Sequence, residues 1–389
     1  MMSQGALAGL KVLDFSTLLP GPMATLFLAE AGAEVIKVER PGTGEEMRSY
    51  VPCWGQESVN FALLNRGKKS VALDLKDPAQ RARLLPLLES ADVLVDQFRP
   101  GVMSRLGLAY DDLARINPGL IYCSITGYGQ HGPKHMAAGH DLNYIGDTGL
   151  LALSLGTTQT PVIPPALIAD IAGGTYPAVF NILLALRERD RTGKGSCLDI
   201  AMADNLFPFL YWAIGDGQAA GRWPGSGDAL VTGGSCRYRL YPTADGRFAA
   251  VAALEEKFWR TFADAIGLEP ELRDDTLDPA ATARRIGELV VCQDASHWER
   301  VFARADCCCS IVKTARQAMD DPHFVERGVF DADLTNEAGE AIRALPTPIA
   351  RPFRRKAQGG ETAPALGQDN DALLAPLAAS SPSMPGEQR

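Results

Sequence analysis

The chain has 389 residues, 46% of them hydrophobic and 22% charged, an ordinary soluble composition with room for two or three domains. A formal net charge of −9 gives no support for binding nucleic acid or an anionic membrane, although local basic clusters leave room for a small anionic ligand.

Residues 1–9 lack the basic and apolar stretches of a secretory signal. The longest apolar run, Ala166 to Leu186, is interrupted by Asp170, Asn181 and several Gly and Pro residues. It reads as a buried helix and not a membrane span. None of the eight cysteines forms a Cys-x-x-Cys pair or stands at zinc-finger spacing from a histidine. Reduced thiols in a cytoplasmic protein, with no metal, are expected. In Cys307-Cys308-Cys309 adjacent side chains point apart, so the run reads as structural.

The first 130 residues alternate between strands and helices. Leu10 to Phe15 reads as a buried strand, Pro20-Gly21-Pro22 as a turn, Met23 to Ala31 as a helix ended by Gly32, and Glu34 to Glu39 as the next strand. This βαβ unit predicts a right-handed parallel crossover. Strands at Ser70 to Leu75, Asp92 to Phe98 and Leu120 to Thr126, with helices at Pro78 to Glu89 and Tyr110 to Ile116, extend the pattern to a doubly wound α/β sheet. Two apolar segments, Leu142 to Leu155 and Ala166 to Arg189, read as helices, followed by a strand from Ser196 to Ala201. Residues 215–235 are rich in Gly, Ser and Pro and read as a long loop or linker. Arg237 to Ala253 predicts a hairpin around Asp245-Gly246, and helices follow at 255–267, 281–292 and 295–304. The division expected is a large domain from 1–215 with 331–389, and a linker with a smaller α+β domain from 216–330. The tail from Gly359 reads as a poorly ordered arm.

Gly127-Tyr128-Gly129-Gln130-His131-Gly132 matches a dinucleotide fingerprint, but Pro133 and a polar stretch follow where that motif should open a helix. The glycines read as shaping a loop. Arg40, Lys76 and Arg99 each follow a predicted strand, where open α/β sheets bind ligands. They are either solvated surface charges or donors for a phosphorylated ligand. His140 follows Gly139 at the start of a helical segment. Asp170 lies in an apolar helix beside Gly173 and Gly174, where an ionised carboxylate is costly unless paired or functional. Together they could act as acid and base on opposite sides of one carbon, or they could be a packed imidazole and an isolated buried acid. His131 and His135 read as solvated, and His297 and His323 as structural. Glu255 opens a helix after a strand, either as a favourable helix N-terminal charge or as a carboxylate that orients an imidazole. Phe207, Phe209, Tyr211 and Trp212 read either as core or as an acyl pocket.

Residues 8–330 resemble the family III CoA-transferase (CaiB/BaiF) superfamily. The resemblance rests on Pro20-Gly21-Pro22, Val38 to Gly42, Arg66 to Ser70, Leu73-Asp74-Leu75-Lys76, Arg99 to Val102, Gly127 to Gln130, Gly139 to Tyr144, Ala169-Asp170, Gly193 to Gly195 and Ala244 to Arg247. Gly139-His140-Asp141, Gly233-Gly234 and Leu254-Glu255 resemble the racemase branch of that superfamily. The stretch from Glu45 to Asn65 is longer than a compact racemase needs and resembles the transferases instead.

The resemblance implies a Rossmann-like large domain, a smaller α+β domain and an interlocked homodimer. Its substrate is an acyl-CoA, and coenzyme A enters as part of that substrate with no separate cofactor. His140 and Asp170 become the acid–base pair that inverts the α-carbon of 2-methylacyl-CoA thioesters, with Glu255 orienting His140. Because a thioester α-proton is far less acidic than an imidazolium, whose ordinary pKa is about 6.5, the enolate needs stabilisation, expected from a backbone N–H near Asp141. Coenzyme A is expected to meet Arg40, Leu73, Asp74, Leu75, Lys76 and Arg99, together with Gly139, Asp141, Leu142, Asn143 and Tyr144. The alternative is a CoA-transferase, which needs Asp170 as a covalent carrier but not His140.

Overall fold

The protein, seen in a computed structural model that describes residues 5–356 and 360–374, divides into two compact units. The first comprises Met1–Thr148, Ala166–Phe207 and Val325–Arg389, and the second Gly149–Pro165 and Pro208–Phe324. The division thus falls after 207 and after 324, where the sequence suggested 215 and 330. Residues 149–165, expected in the large domain, belong to the second unit because the Gly227 N–H donates to the Leu153 carbonyl and the Gly156 N–H to Ser226 Oγ.

The first unit is built on six parallel strands: β1 (Lys11–Phe15), β2 (Glu34–Glu39), β3 (Lys69–Ala72), β4 (Val93–Asp96), β5 (Ile121–Thr126) and β6 (Ser196–Ala201). Their order across the sheet is β3-β2-β1-β4-β5-β6. The order reverses between β1 and β4, the point where an open α/β sheet leaves a crevice at its carboxyl ends. β4 and β5 are buried along their whole length, as expected of parallel strands covered on both faces. Leu13, Phe15, Ile36, Val38, Val71 and Leu94 form the core with Leu87, Leu88 and Leu113 from the covering helices. Each such side chain contributes about 1.5–3 kcal/mol.

Helix α1 (Pro20–Glu30) begins at Pro20 itself, so the expected turn is the helix's own first turn, where proline's missing N–H has no partner to lose. α2 (Val59–Asn65) is capped by Ser58, whose Oγ accepts the Asn60 N–H at 3.2 Å. The helix expected at 78–89 is two short ones, Pro78–Ala82 and Leu85–Ser90, because Pro86 cannot donate within a continuous helix. α3 (Tyr110–Ile116) matches its expected bounds.

α4 (Asp141–Asp147) stops far short of Leu155, since the chain turns through Gly149 at φ +84°. The second apolar segment enters by a wide π-type turn, Ala169–Thr175, and continues as α5 (Tyr176–Thr192). By length and composition alone, Ala169–Thr192 could cross a membrane, and 44% of its most apolar window is buried. Burial was expected throughout, yet α5 buries Ala178, Ile182, Ala185 and Leu186 and exposes Tyr176, Phe180, Leu183 and Leu184.

The described part of the expected tail arm is ordered against the edge strand β3. The Asp369 carboxylate accepts the Ser70 N–H at 2.9 Å, Asn370 Oδ1 accepts the Ala72 N–H at 2.7 Å, and Leu374 joins the core. A covered edge offers no template for pairing with another chain. Residues 375–389 of that arm lie outside the described residues.

The second unit holds the predicted hairpin, β7 (Tyr238–Pro242) and β8 (Phe248–Ala252), which turns through Gly246 at φ +75°. β9 (Cys309–Ile311) completes an antiparallel sheet. Residues 215–235, expected as a loop, include the end of α6 (Tyr211–Ala220). The three expected helices are α7 (Glu256–Ile266), α8 (Pro279–Val290) and α9 (Ala295–Phe302). They bury Trp259, Phe262, Trp298 and Phe302 against the sheet. His297 makes an edge contact with Trp298, and His323 with Phe324. In the cysteine triplet, Cys307 is buried and Cys308 exposed, while the Cys309 thiol donates to the Cys307 carbonyl.

Candidate functional site

Two neighbouring cavities open at the carboxyl ends of the first unit's strands, around the reversal between β1 and β4. The larger, about 750 Å³, is lined by Arg40 after β2, by Leu73, Asp74, Leu75 and Lys76 after β3, and by Val102, Arg105 and Leu106 beyond β4. Arg40 Nε donates to the Gly44 carbonyl at 2.8 Å, which tightens the turn after β2. The Asp74 carboxylate accepts the Lys76 N–H at 2.9 Å, and Arg81 Nη1 donates to the Leu75 carbonyl at 2.9 Å, fixing the loop after β3. The side chains of Arg40, Lys76 and Arg105 are exposed and, among the described residues, enter no ion pair. Three unpaired cations at one cavity suit a polyphosphate. Arg105 is absent from the sequence-based set. It sits on a short helix, Val102–Arg105, that a period-based reading passes over.

Arg99, grouped by sequence with Arg40 and Lys76, lines the smaller cavity instead, about 220 Å³ in volume. That cavity brings His140 and Asp170 together, with Gly139, Tyr144, Met202 and His135 in its wall. His135, expected to be solvated, is half-buried there, and its Nδ1 lies 2.8 Å from the Gly132 carbonyl. Asp141, Leu142 and Asn143 line neither cavity. Leu142 and Asn143 are exposed and Asp141 is buried, and the side-chain oxygens of Asp141 and Asn143 accept backbone N–H groups.

His140 is the N-cap of α4, in extended conformation at φ −125° and ψ 177°. Asn143 Oδ1 accepts its N–H at 3.1 Å, and the Tyr144 hydroxyl donates to the Gly139 carbonyl at 2.5 Å. A side chain at Gly139 would stand 2.8 Å from the Tyr144 ring, so glycine permits that approach. The N–H groups of Asp141 and Leu142 donate to no protein acceptor among the described residues, leaving two donors free in the helix's first turn.

Asp141 ties the segment of His140 to that of Asp170. Its Oδ1 accepts the N–H of Ala169 at 2.6 Å and of Asp170 at 3.1 Å, so the residue after His140 holds the backbone of Asp170. Asp170 stands on the π-type turn, a distortion frequent at functional sites. Gly173 lets that turn press on the chain after β6, where a Cβ would lie 2.4 Å from the Met202 carbonyl oxygen. Burial, and secondarily the Asp141 carboxylate, push the Asp170 carboxyl up to about 7. Burial raises Asp141 as well, against the two N–H groups that favour its charged form.

Beneath the cavities lies a second set of charges, all withdrawn from water. Lys68 Nζ reaches Asp14 Oδ2 at 3.0 Å, and Lys37 Nζ lies 4.0 Å from that oxygen and 3.5 Å from Glu45 Oε2. Burial alone would raise the Asp14 carboxyl, but the two ammonium groups, with hydroxyl donors from Ser16 and Thr25, hold it well below the usual carboxylate range. Burial lowers Lys68 to about 8.

Glu255 is the exposed N-cap of α7 in the second unit. Phe207, Phe209, Tyr211 and Trp212 are exposed. The glycine-rich loop after β5 opens no helix before Asp141. Among the described residues, no cluster of three or more His, Cys, Asp or Glu side chains could hold a metal ion.

The model of CoA-transferase family III matches residues 7–370. Human alpha-methylacyl-CoA racemase is 33% identical over 378 residues, covering 95% of this chain and 92% of its own length. Human succinyl-CoA:glutarate CoA-transferase is 30% identical over 383 residues, covering 95% of this chain and 85% of its own length. Among solved structures, a CAIB/BAIF family protein from Brucella suis superposes with a TM-score of 0.79 at 27% identity, over 95% of this chain and 98% of that one. With its parallel sheet, its cavities at the strand ends and this match over nearly the whole length, the chain belongs to CoA-transferase family III and is an enzyme of that transferase and racemase superfamily.

Proposed function

We propose that the protein inverts the α-carbon of 2-methylacyl-CoA thioesters by proton transfer through an enolate. The observation that carries this reading is the presence of His140 and Asp170 in one small cavity, with Asp170 raised to about 7. A carboxyl near neutrality is populated in both protonation states, as a group that must give a proton in one direction and take one in the other requires. In one direction neutral His140 removes the α-proton, the electron pair moves into the thioester C–O bond, and protonated Asp170 returns a proton to the opposite face. The reverse direction exchanges the roles. The developing oxyanion is assigned to the free N–H groups at the start of α4, although Asp141 itself lines neither cavity. The family resemblance alone assigns the orientation of the imidazole to Glu255. Arg40, Lys76 and Arg105 take the phosphates of coenzyme A, and Arg99 stands nearer the acyl end. The exposed apolar stripe of α5, Tyr176, Phe180, Leu183 and Leu184, supports a homodimer, as an uncovered apolar face suits association with a second copy.

The test is α-proton exchange in D₂O. Incubated with a 2-methylacyl-CoA and no acyl acceptor, the enzyme should incorporate one deuterium at the α-carbon and invert it, and His140→Ala should abolish both. The second reading, CoA transfer, also has support among the relatives, since a transferase matches this chain at nearly the identity of a racemase. There the Asp170 carboxylate attacks the thioester carbonyl and releases CoA thiolate. The thiolate then attacks the resulting anhydride at the Asp170 carbonyl, freeing the acid and leaving a CoA thioester on Asp170. An enzyme that moves CoA to a free carboxylate without exchange, and survives His140→Ala, decides for transfer.

A further inference from the structure

Thr17, Leu18 and Phe98 line both cavities and so form the wall between them. Leu18 lies at φ +63°, a left-handed conformation that a leucine rarely adopts. Three buried charges grip this short segment from below. Asp14 Oδ1 accepts the Ser16 N–H at 3.0 Å, Lys37 Nζ donates to the Ser16 carbonyl at 2.9 Å, and Glu45 Oε2 accepts the Leu18 N–H at 2.9 Å. Glu45 is itself held in place. Its N–H donates to Glu39 Oε1 at 3.1 Å, Asn65 Nδ2 donates to its Oε1 at 3.4 Å, and Lys37 Nζ lies 3.5 Å from its Oε2. Both ends of the Glu45 to Asn65 stretch therefore meet at this carboxylate.

We infer that Glu45 is a positioning residue for the reaction, fixing Leu18 in its left-handed conformation and so setting the wall that aligns a bound thioester with His140 and Asp170. The inference rests on the proposed reading of those two residues. A strained backbone persists only where its surroundings over-determine it. Here a buried carboxylate, fixed on all sides, does so at the one residue shared by both cavities that departs from ordinary backbone geometry. Glu45 lines the larger cavity but not the one that holds His140 and Asp170, and it acts on them through Leu18.

The experiment is a double-mutant cycle on the full-length enzyme with Glu45→Ala, Leu18→Gly and the double variant. It is read in kcat and KM for whichever reaction the wild type performs, exchange or transfer, beside free-CoA affinity and thermal unfolding. Glu45→Ala should lower kcat about ten- to a hundredfold, the effect of a displacement of about 1 Å at a reacting centre, with free-CoA affinity held within about threefold. Leu18→Gly leaves the buried charges intact and frees the same backbone, so it should lower kcat in a protein of near wild-type stability. The double variant should be little worse than either single one, because both remove the same restraint. Glu45→Gln retains an acceptor for the Leu18 N–H and should keep most of kcat. Additive losses, or unchanged kcat in a folded Glu45→Ala protein, overturn the inference. A wild type that performs neither reaction tells against the reading of the site instead.

Discussion

Asp14 and Asp170 are both carboxylates withdrawn from water in the first unit, and the fold treats them oppositely. Asp14 ends among two ammonium groups and two hydroxyl donors and stays charged far below ordinary acid pH. Asp170 enters no ion pair among the described residues. The charge that acts on it is another carboxylate, Asp141, which adds to burial in driving it up to about 7. The difference is one of partners more than of depth. A buried acid that the protein compensates is fixed in one protonation state and serves as a fastener. A buried acid left uncompensated can change state, which makes it a candidate for chemistry.

Substitution separates the two roles most sharply. Asp170→Asn should lower turnover about 10²- to 10⁴-fold, the usual range for a lost general acid or base, while unfolding midpoints hold or rise. Steady-state kinetics beside urea unfolding measures both. Asp14→Ala should do the reverse, destabilising the protein by about 3–5 kcal/mol because Lys37 and Lys68 remain buried with one fewer anion. Any residual activity should scale with the folded fraction. If Asp14→Ala folds normally and Asp170→Asn does not, the contrast is inverted and fails.

The contrast was half legible in the sequence. Strands β1, β2 and β5 could be read because parallel strands buried on both faces are nearly continuous apolar runs. Asp170 stood out because its neighbours are apolar and small. The fasteners were missed, although a signal existed. Asp14 and Lys37 each interrupt an apolar strand, and the two strands place them opposite one another. What periodicity cannot supply is long-range compensation. Nothing local tells Lys68 that it meets Asp14, or Asp141 that it meets the backbone of Asp170, 29 residues on. The same blindness turned the end of α6 into a loop, since Gly215 and Gly217 lower its intrinsic preference, and hid the docking of Asn370 on β3. It also grouped Arg99 with the phosphate cations, because the end of a strand names a neighbourhood and not a cavity.

Binding gives a smaller effect that sharpens the contrast from a third side. Lys76→Ala and Arg105→Ala should each weaken free coenzyme A about tenfold, a charge-assisted hydrogen bond's share, with kcat at saturation nearly unchanged. Asp170→Asn should leave that affinity alone. Titration calorimetry with free coenzyme A reads all three. Equal losses in the three variants would mean that Asp170 belongs to the binding surface and that its unusual protonation serves affinity.

The smallest effect is the most diagnostic, because the two carboxylates give stability opposite slopes with pH. For Asp170 the folded-state value of about 7 lies above the ordinary 3.8. Its contribution is therefore full below about pH 4 and is lost as pH rises towards 7, since only the folded state still holds the proton. For Asp14 the folded-state value lies below 3.8, so its contribution is present above about pH 4 and is lost as pH falls further. Asp170→Asn should consequently flatten the decline in unfolding free energy between pH 4 and 7, gaining on the order of 1 kcal/mol over wild type at pH 7 and nothing at pH 4. A gain equal at both pH values would mean that the substitution relieves packing and not charge. The active-site carboxyl would then be an ordinary acid, and the proton it is proposed to deliver at neutral pH would have to come from elsewhere.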